Sequence, residues 1–420
     1  MDCLIKNAKV YIDGKFISTN LAILNGTISL STNEDNVSLK VFDFSNKVII
    51  PGLVDVHTHL REPGFSYKET VKSGTNAALQ SGYNAIFTMP NLNPVPDNEE
   101  NLKVQQDIID KDALVKVYPF GAITIGEKGE ELADLDGMSD KVKGFSDDGR
   151  GVQSVDLMKK AMQKAKLLNQ IIVAHCEDNS LLNGGYIHDG EYAKLNGHIG
   201  IPSISESKPI ERDCALAREI GVKYHVCHVS AKESVNAIRK AKAQGVNVTA
   251  ETAPHYLVLD DSQLKDSGNF KMNPPIRAKE DKLALIQGIC DGTIDMIATD
   301  HAPHSLEEKS KGLKGSLNGI VGLETAFPIL YTYLVKEKVI TLEKLVEIMS
   351  VNPAKRFGVE NEIKQDKKAN FAVFDLDKEY VIYANKFLSK GKSSPFIDYK
   401  VYGKCVMNVI DGEIKFLEKN

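Results

Sequence analysis

Apolar and polar residues alternate in three short runs at the start of the chain, LIKNAKVYI (4–12), LAILNGTISL (21–30) and LKVFDFSNKVII (39–50), separated by Asp-Gly, Asn-Gly and Ser-Thr-Asn turn sequences. A period of two broken by such turns predicts a small antiparallel sheet. From Pro51 the texture changes to compact apolar runs that alternate with helical stretches. It reverts after about residue 360, where NFAVFDL, EYVIYA, YKVYGKCVMNVI and GEIKF again read as strands and turns. Ends of like texture around a different centre predict one discontinuous domain, a small β-sandwich formed by 1–50 and 355–420, flanking an inserted domain over 51–354.

Eight apolar runs in the centre read as buried strands: LVDVHTH, NAIFTMPN, VKVYPFGA, VKGFSDD, IIVAHCE, KYHVCHVS, VNVTAE and IDMIATD. Helical stretches such as ETVKSGTNAALQSG, VDLMKKAMQKAKLLN, ISESKPIERDCALAREIG, ESVNAIRKAKAQG and KEDKLALIQGI follow most of them. Strand and helix in alternation predict a parallel sheet, and eight such units over this length predict a (β/α)8 barrel of the TIM type. No GxGxxG follows a strand and no GxxxxGK[ST] occurs, which weakens dinucleotide and P-loop readings.

Composition narrows the function classes. With 52 basic against 57 acidic residues the net charge is −5, so no basic field for nucleic acid is present. No run approaches the ~18 consecutive apolar residues of a membrane span, and the first residues lack a basic segment followed by an apolar one. Six cysteines without a CxxC pair read as reduced thiols of a cytoplasmic protein.

A barrel places its catalytic groups at the C-terminal ends of its strands. Strand one ends in His57 and His59, strand two in Asn91, strand four in Asp147 and Asp148, strand five in His175, strand six in His228 and strand eight in Asp300. One histidine at a strand end is more often a hydrogen-bonded structural residue. Four at one rim, with carboxylates from two further strands, favour a metal centre. His57 and His59 are two apart, so both point the same way on a strand and can share an ion. His175 and His228, on adjacent strands, suit a second ion, whereas by the same alternation Cys176 and Cys227 face away and pack. Asp55, two residues before His57 on the same face, reads equally as a supporting carboxylate and as a ligand. Nitrogen and oxygen ligands without thiolate point to Zn2+, one or two per subunit with two expected. Two ions ~3.5–4 Å apart need a bridging carboxylate. Strand four supplies it, but alternation turns only one of Asp147 and Asp148 inward and does not say which. Lys143, five residues back, lies toward the wrong end of the barrel.

The motifs HTHLREPG (57–64), MPN (89–91), FSDDGRGVQ (145–153), AHCEDNSLL (174–182), YHVCHVSAKESV (224–235), KMNPPIR (271–277) and IATDHAPH (297–304) together resemble the amidohydrolase superfamily, and more narrowly its type I dihydroorotases. The resemblance implies interconversion of N-carbamoyl-L-aspartate and L-dihydroorotate in pyrimidine biosynthesis. It implies His57 and His59 on one metal, His175 and His228 on the other, Asp148 as the bridge, and Asp300 near the first metal as acid and base. It adds Asn91, Asn273 and His304 as substrate contacts, with backbone amides before GIVG. There, type I relatives usually carry a proline and an aromatic, where this chain has Ser-Leu-Asn-Gly (316–319). Asn318 and Gly319 still supply N–H groups.

Arg61, two residues beyond His59, offers the guanidinium fork that a ring carboxylate needs and that hydantoin or allantoin does not. The alternatives are a hydantoinase- or allantoinase-like enzyme, and a non-catalytic scaffold for aspartate transcarbamoylase, which predicts eroded ligands. The expected partners are the small-molecule substrate, a second copy of the chain and aspartate transcarbamoylase, with no nucleic acid and no membrane.

Overall fold

A computed structural model describes residues 2–30 and 39–418. Strands Cys3–Ile12 and Lys15–Leu24 form the first hairpin, and Asp13 and Gly14 both take positive φ (48° and 82°). Asn25 and Gly26 do the same (52° and 79°) before Thr27–Ser29. These are the conformations that a two-residue turn needs to match strand twist, and Asn, Asp and Gly reach them cheaply. The Ser-Thr-Asn turn (31–33) lies outside the described residues.

The two ends of the chain meet in one sheet. Lys47–Pro51 pairs in parallel with Cys3–Ile12 on one side and antiparallel with Phe371–Val381 on the other, and Lys400–Ile410 and Glu413–Leu417 extend the sheet beyond that. Ile5, Val10, Leu21, Ile23, Ile49, Phe371, Val373, Met407 and Val409 bury one another in a shared core. The period-two pattern of both ends is the reason, because each contributes one apolar face to the same interior.

Between them the parallel strands run Leu53–Thr58, Tyr83–Thr88, Lys116–Pro119 with Gly121–Ala122, Phe145–Ser146, Ile171–Ala174, Lys223–Val226, Val248–Thr252 and Met296–Ile297. A parallel bridge from Thr58 to His301 connects the last to the first. Helices follow most strands, and capping side chains mark where several begin. Thr70 and Ser73 form a capping box at Val71–Gln80, and Ser154 caps Val155–Leu167. Gly221 in the left-handed conformation (φ 74°) ends Ile204–Ile220. Among the described residues no helix is long and apolar enough to cross a membrane.

Candidate metal centre and substrate cavity

The strand ends converge on Asp148. Its Oδ1 lies 3.3 Å from His57 Nε2, 3.3 Å from His228 Nε2 and 3.7 Å from His175 Nδ1, and its Oδ2 lies 3.5 Å from His59 Nε2. Asp300 Oδ1 is 3.2 Å from His59 Nε2 and 3.6 Å from His57 Nε2. All six side chains are buried. Among the described residues three donor groups lie within ion-holding distance, and two of them join these side chains, His57, His59 and Asp300 in one and His57, Asp148 and His228 in the other.

Each of the first two imidazoles is aimed by a partner on its far nitrogen. His57 Nδ1 meets Glu251 Oε1 at 2.7 Å and His59 Nδ1 meets Asn91 Oδ1 at 2.9 Å, so both present Nε2 to the centre. A carboxylate behind a histidine fixes its tautomer and raises its basicity, as in metal sites generally. Glu251 is shared with His225, 3.0 Å away, which packs beneath the centre. Glu177, 3.8 Å from His175 Nε2, also accepts from Asn273 Nδ2 at 3.0 Å and so ties His175 to a residue of the cavity wall.

The electrostatics of this cluster call for positive charge. Burial alone would raise Glu251 and Asp300, yet His57 and His225 bring Glu251 down to about 2, and the hydrogen bond from His59 with the charge of His57 brings Asp300 down to about 2. Burial opposes charge on His57, but Asp148 together with Cys227 and Glu251 outweighs it and drives the imidazole well above its usual range. His57 Nε2 and Asp148 Oδ1 are buried without a hydrogen-bond partner, although they face each other at 3.3 Å. A cation between such atoms satisfies both, so the residues fit a metal.

The structure separates the two aspartates of strand four. Asp147 turns away and accepts from the Ile123 and Thr124 amides (2.8 and 3.0 Å) and from the Thr124 hydroxyl. Asp55 accepts from the Thr299 amide and hydroxyl (3.1 and 2.6 Å), which sets the chain entering Asp300. Lys143 lies over the Tyr118 ring, 5.2 Å from its centroid. Cys227 corrects the alternation argument. It lies with His57 and Glu251 within ion-holding distance, because the strand stops at Val226 and His228 takes a positive φ of 32°, which breaks the pleat. Burial pushes its thiol up, away from the thiolate that a metal requires. Arg61 (φ 61°) and Asp300 (φ 49°) are strained in the same way, a feature that clusters where function fixes the backbone.

Above the centre lies a cavity of about 470 Å³, with Arg61, Asn91, Asn273, His304, Asn318 and Gly319 on its wall together with Arg150 and Leu317. Arg61 Nε donates to the Pro303 carbonyl at 3.2 Å; burial lowers its pKa to about 10, and Asp300 and Asp148 work against that fall. Burial, then Arg61 and Lys68, push His304 down to about 3, so it is neutral. Its Nε2–H donates to the Asn318 carbonyl (2.8 Å) and its Nδ1 accepts from Lys68 Nζ (3.2 Å). The Gly319 amide is donated to the Lys271 carbonyl at 3.0 Å. It is therefore not free for a ligand, whereas among the described residues no acceptor engages the Asn318 amide.

Glu251, Glu177 and Arg150 escaped the sequence reading. Glu251 had a signal, a carboxylate inside the apolar run VNVTAE, and such a group is buried only with partners.

Comparison with known proteins places this arrangement. A family model described as Dihydro-orotase-like matches residues 46–234. A dihydroorotase of Fusobacterium nucleatum subsp. nucleatum is 48% identical over 419 residues, covering 99% of both chains. The chain belongs to the dihydroorotase family. A dihydroorotase of Bacillus thuringiensis is 46% identical over 425 residues, covering 100% of this chain and 99% of the relative. Among solved structures, the L-hydantoinase of Arthrobacter aurescens superposes with a TM-score of 0.89 at 24% identity, covering 100% of this chain and 97% of that one. The dihydropyrimidinase of Brevibacillus agri gives 0.88 at 21%, covering 100% and 96%. This dihydroorotase-family chain therefore has the mixed α/β fold of those cyclic amidohydrolases.

Proposed function

We propose that the chain is a zinc-dependent dihydroorotase, built as a (β/α)8 barrel over 51–354 with a small discontinuous β domain from 1–50 and 355–420. The observation that carries the reading is a buried guanidinium, Arg61, on the wall of a cavity whose floor is a complete His57, His59, Asp148, His175, His228 and Asp300 donor set. That complete set also speaks against a non-catalytic scaffold.

When bound there, zinc polarises the ring amide carbonyl and makes water a competent nucleophile near neutral pH. Asp300, ionised and 3.2 Å from His59, accepts the proton of the attacking water. It then delivers that proton to the ring nitrogen as the C–N bond breaks and the carbamoyl acid forms. Run in reverse, the same proton path closes the ring with loss of water. Arg61 pairs with the carboxylate that stays outside the ring, and Asn91 and Asn273 hold the ring.

Arg61→Met tests the substrate. A buried charge pair that loses one partner forfeits ~2–5 kcal/mol, so kcat/KM for dihydroorotate should fall by ~30-fold to several thousand-fold with metal content unchanged. Turnover of a neutral cyclic imide should change far less. Equal losses on both substrates would make Arg61 a structural residue and favour the hydantoinase-like reading. Glu251→Gln, which leaves His57 without its carboxylate, should weaken zinc retention by about 10- to 100-fold in a chelator competition. Unchanged retention would refute the orienting role of Glu251.

A further inference from the structure

We propose that Lys309 is a positioning residue for substrate binding, its buried ammonium holding the main chain of residues 317–319 as a wall of the substrate cavity. The identity of the substrate rests on the dihydroorotase reading; the clamp does not.

Lys309 is 4% exposed, and its Nζ donates to three main-chain carbonyls, of Lys271 (2.9 Å), Leu317 (2.8 Å) and Gly319 (2.6 Å). Burial lowers the pKa of this amine to about 7, but three carbonyl acceptors around one nitrogen require its charged, three-donor form, and the three bonds exhaust it. Two of the carbonyls belong to the cavity wall, and the third lies two residues before Asn273. The carbonyl between the captured pair, that of Asn318, accepts from His304 at 2.8 Å. Glu308 anchors the same segment from outside, 3.1 Å from Lys68 and 2.9 Å from the Tyr67 hydroxyl.

The peptide plane gives the clamp its consequence. In a trans peptide the N–H points opposite the carbonyl. With the Leu317 carbonyl aimed at Lys309, the Asn318 amide is sent away from the ammonium, and it is the amide of residues 317–319 that stays unspent. Leu317 donates to the Glu308 carbonyl and Gly319 to that of Lys271. Lys309 thus selects which backbone donor is offered to a ligand in a segment whose own side chains lack the usual proline and aromatic.

The test uses the full-length, zinc-loaded enzyme and its Lys309→Met and Lys309→Ala variants. Leaving the Leu317 and Gly319 carbonyls without a donor, and the Lys271 carbonyl with the Gly319 amide alone, should loosen the segment, raising KM for dihydroorotate by about 10- to 100-fold while kcat stays within about threefold and zinc content is unchanged. Amide hydrogen exchange at Leu317 and Gly319 should accelerate at least about tenfold, with the parallel strands unaffected. Propylammonium should restore KM in Lys309→Ala and fail in Lys309→Met, where the side chain fills the space. An unchanged KM with faster exchange would make Lys309 merely structural. A joint fall of kcat and zinc content would show collapse of the site and also overturn the proposal. If the wild type turned over neither dihydroorotate nor N-carbamoyl-L-aspartate, the functional reading would fall, and the exchange measurement would still decide the clamp.

Discussion

Asp148→Ala should lose zinc and turnover together, with activity falling by at least about three orders of magnitude, since a catalytic metal supplies several kcal/mol of transition-state stabilisation. Asp148 lies within 3.7 Å of all four imidazoles, and its loss leaves a buried nest of nitrogen ligands without the charge that joins its halves. Asp147→Ala is the control. It removes the acceptor for the Ile123 and Thr124 amides, which should cost about 1–3 kcal/mol of stability while zinc stays bound. Metal analysis of the two purified variants, beside a ring-opening assay, separates them. Zinc loss in the Asp147 variant with retention in the Asp148 variant would reverse their roles.

Asp300→Asn keeps the shape of the side chain and an oxygen toward His59, but it removes the carboxylate proposed to take and return the proton. Turnover should drop by ~10²–10⁴-fold, the usual worth of a positioned acid and base, with zinc content largely preserved. The carboxylate is prepared for this role, because the hydrogen bond from His59 and the neighbouring imidazoles outweigh burial and hold it ionised. Its backbone is set by Asp55, which receives the Thr299 amide and hydroxyl. Near-full turnover of the Asn variant in the dihydroorotate assay would remove Asp300 from the proton path.

Much of this molecule is readable from local pattern. Alternation and Asp-Gly and Asn-Gly turns marked the terminal strands, because a period of two and positive φ are properties of neighbouring residues alone. Each of the eight apolar runs of the centre falls on a parallel strand segment, and the polar residues at their ends include those that gather around Asp148 and Asp300. The spacing of His57 and His59 on one strand implied a common direction, and both reach Asp300.

What the sequence left open concerns irregular backbone and distant partners. Periodicity does not choose between Asp147 and Asp148, because the strand there is only Phe145–Ser146; Thr124, more than twenty residues away, takes Asp147 out of the site. Alternation failed at Cys227 because a positive φ at His228 ends the pleat. Glu251 sits 194 residues from His57, and the Lys271 carbonyl that removes the Gly319 amide from the ligand's reach belongs to another loop. Local residues set what each strand is and which way its regular part faces. Only the packing of strands and loops against one another decided which carboxylate stands behind which imidazole, and which amide of 317–319 was left without an acceptor among the described residues.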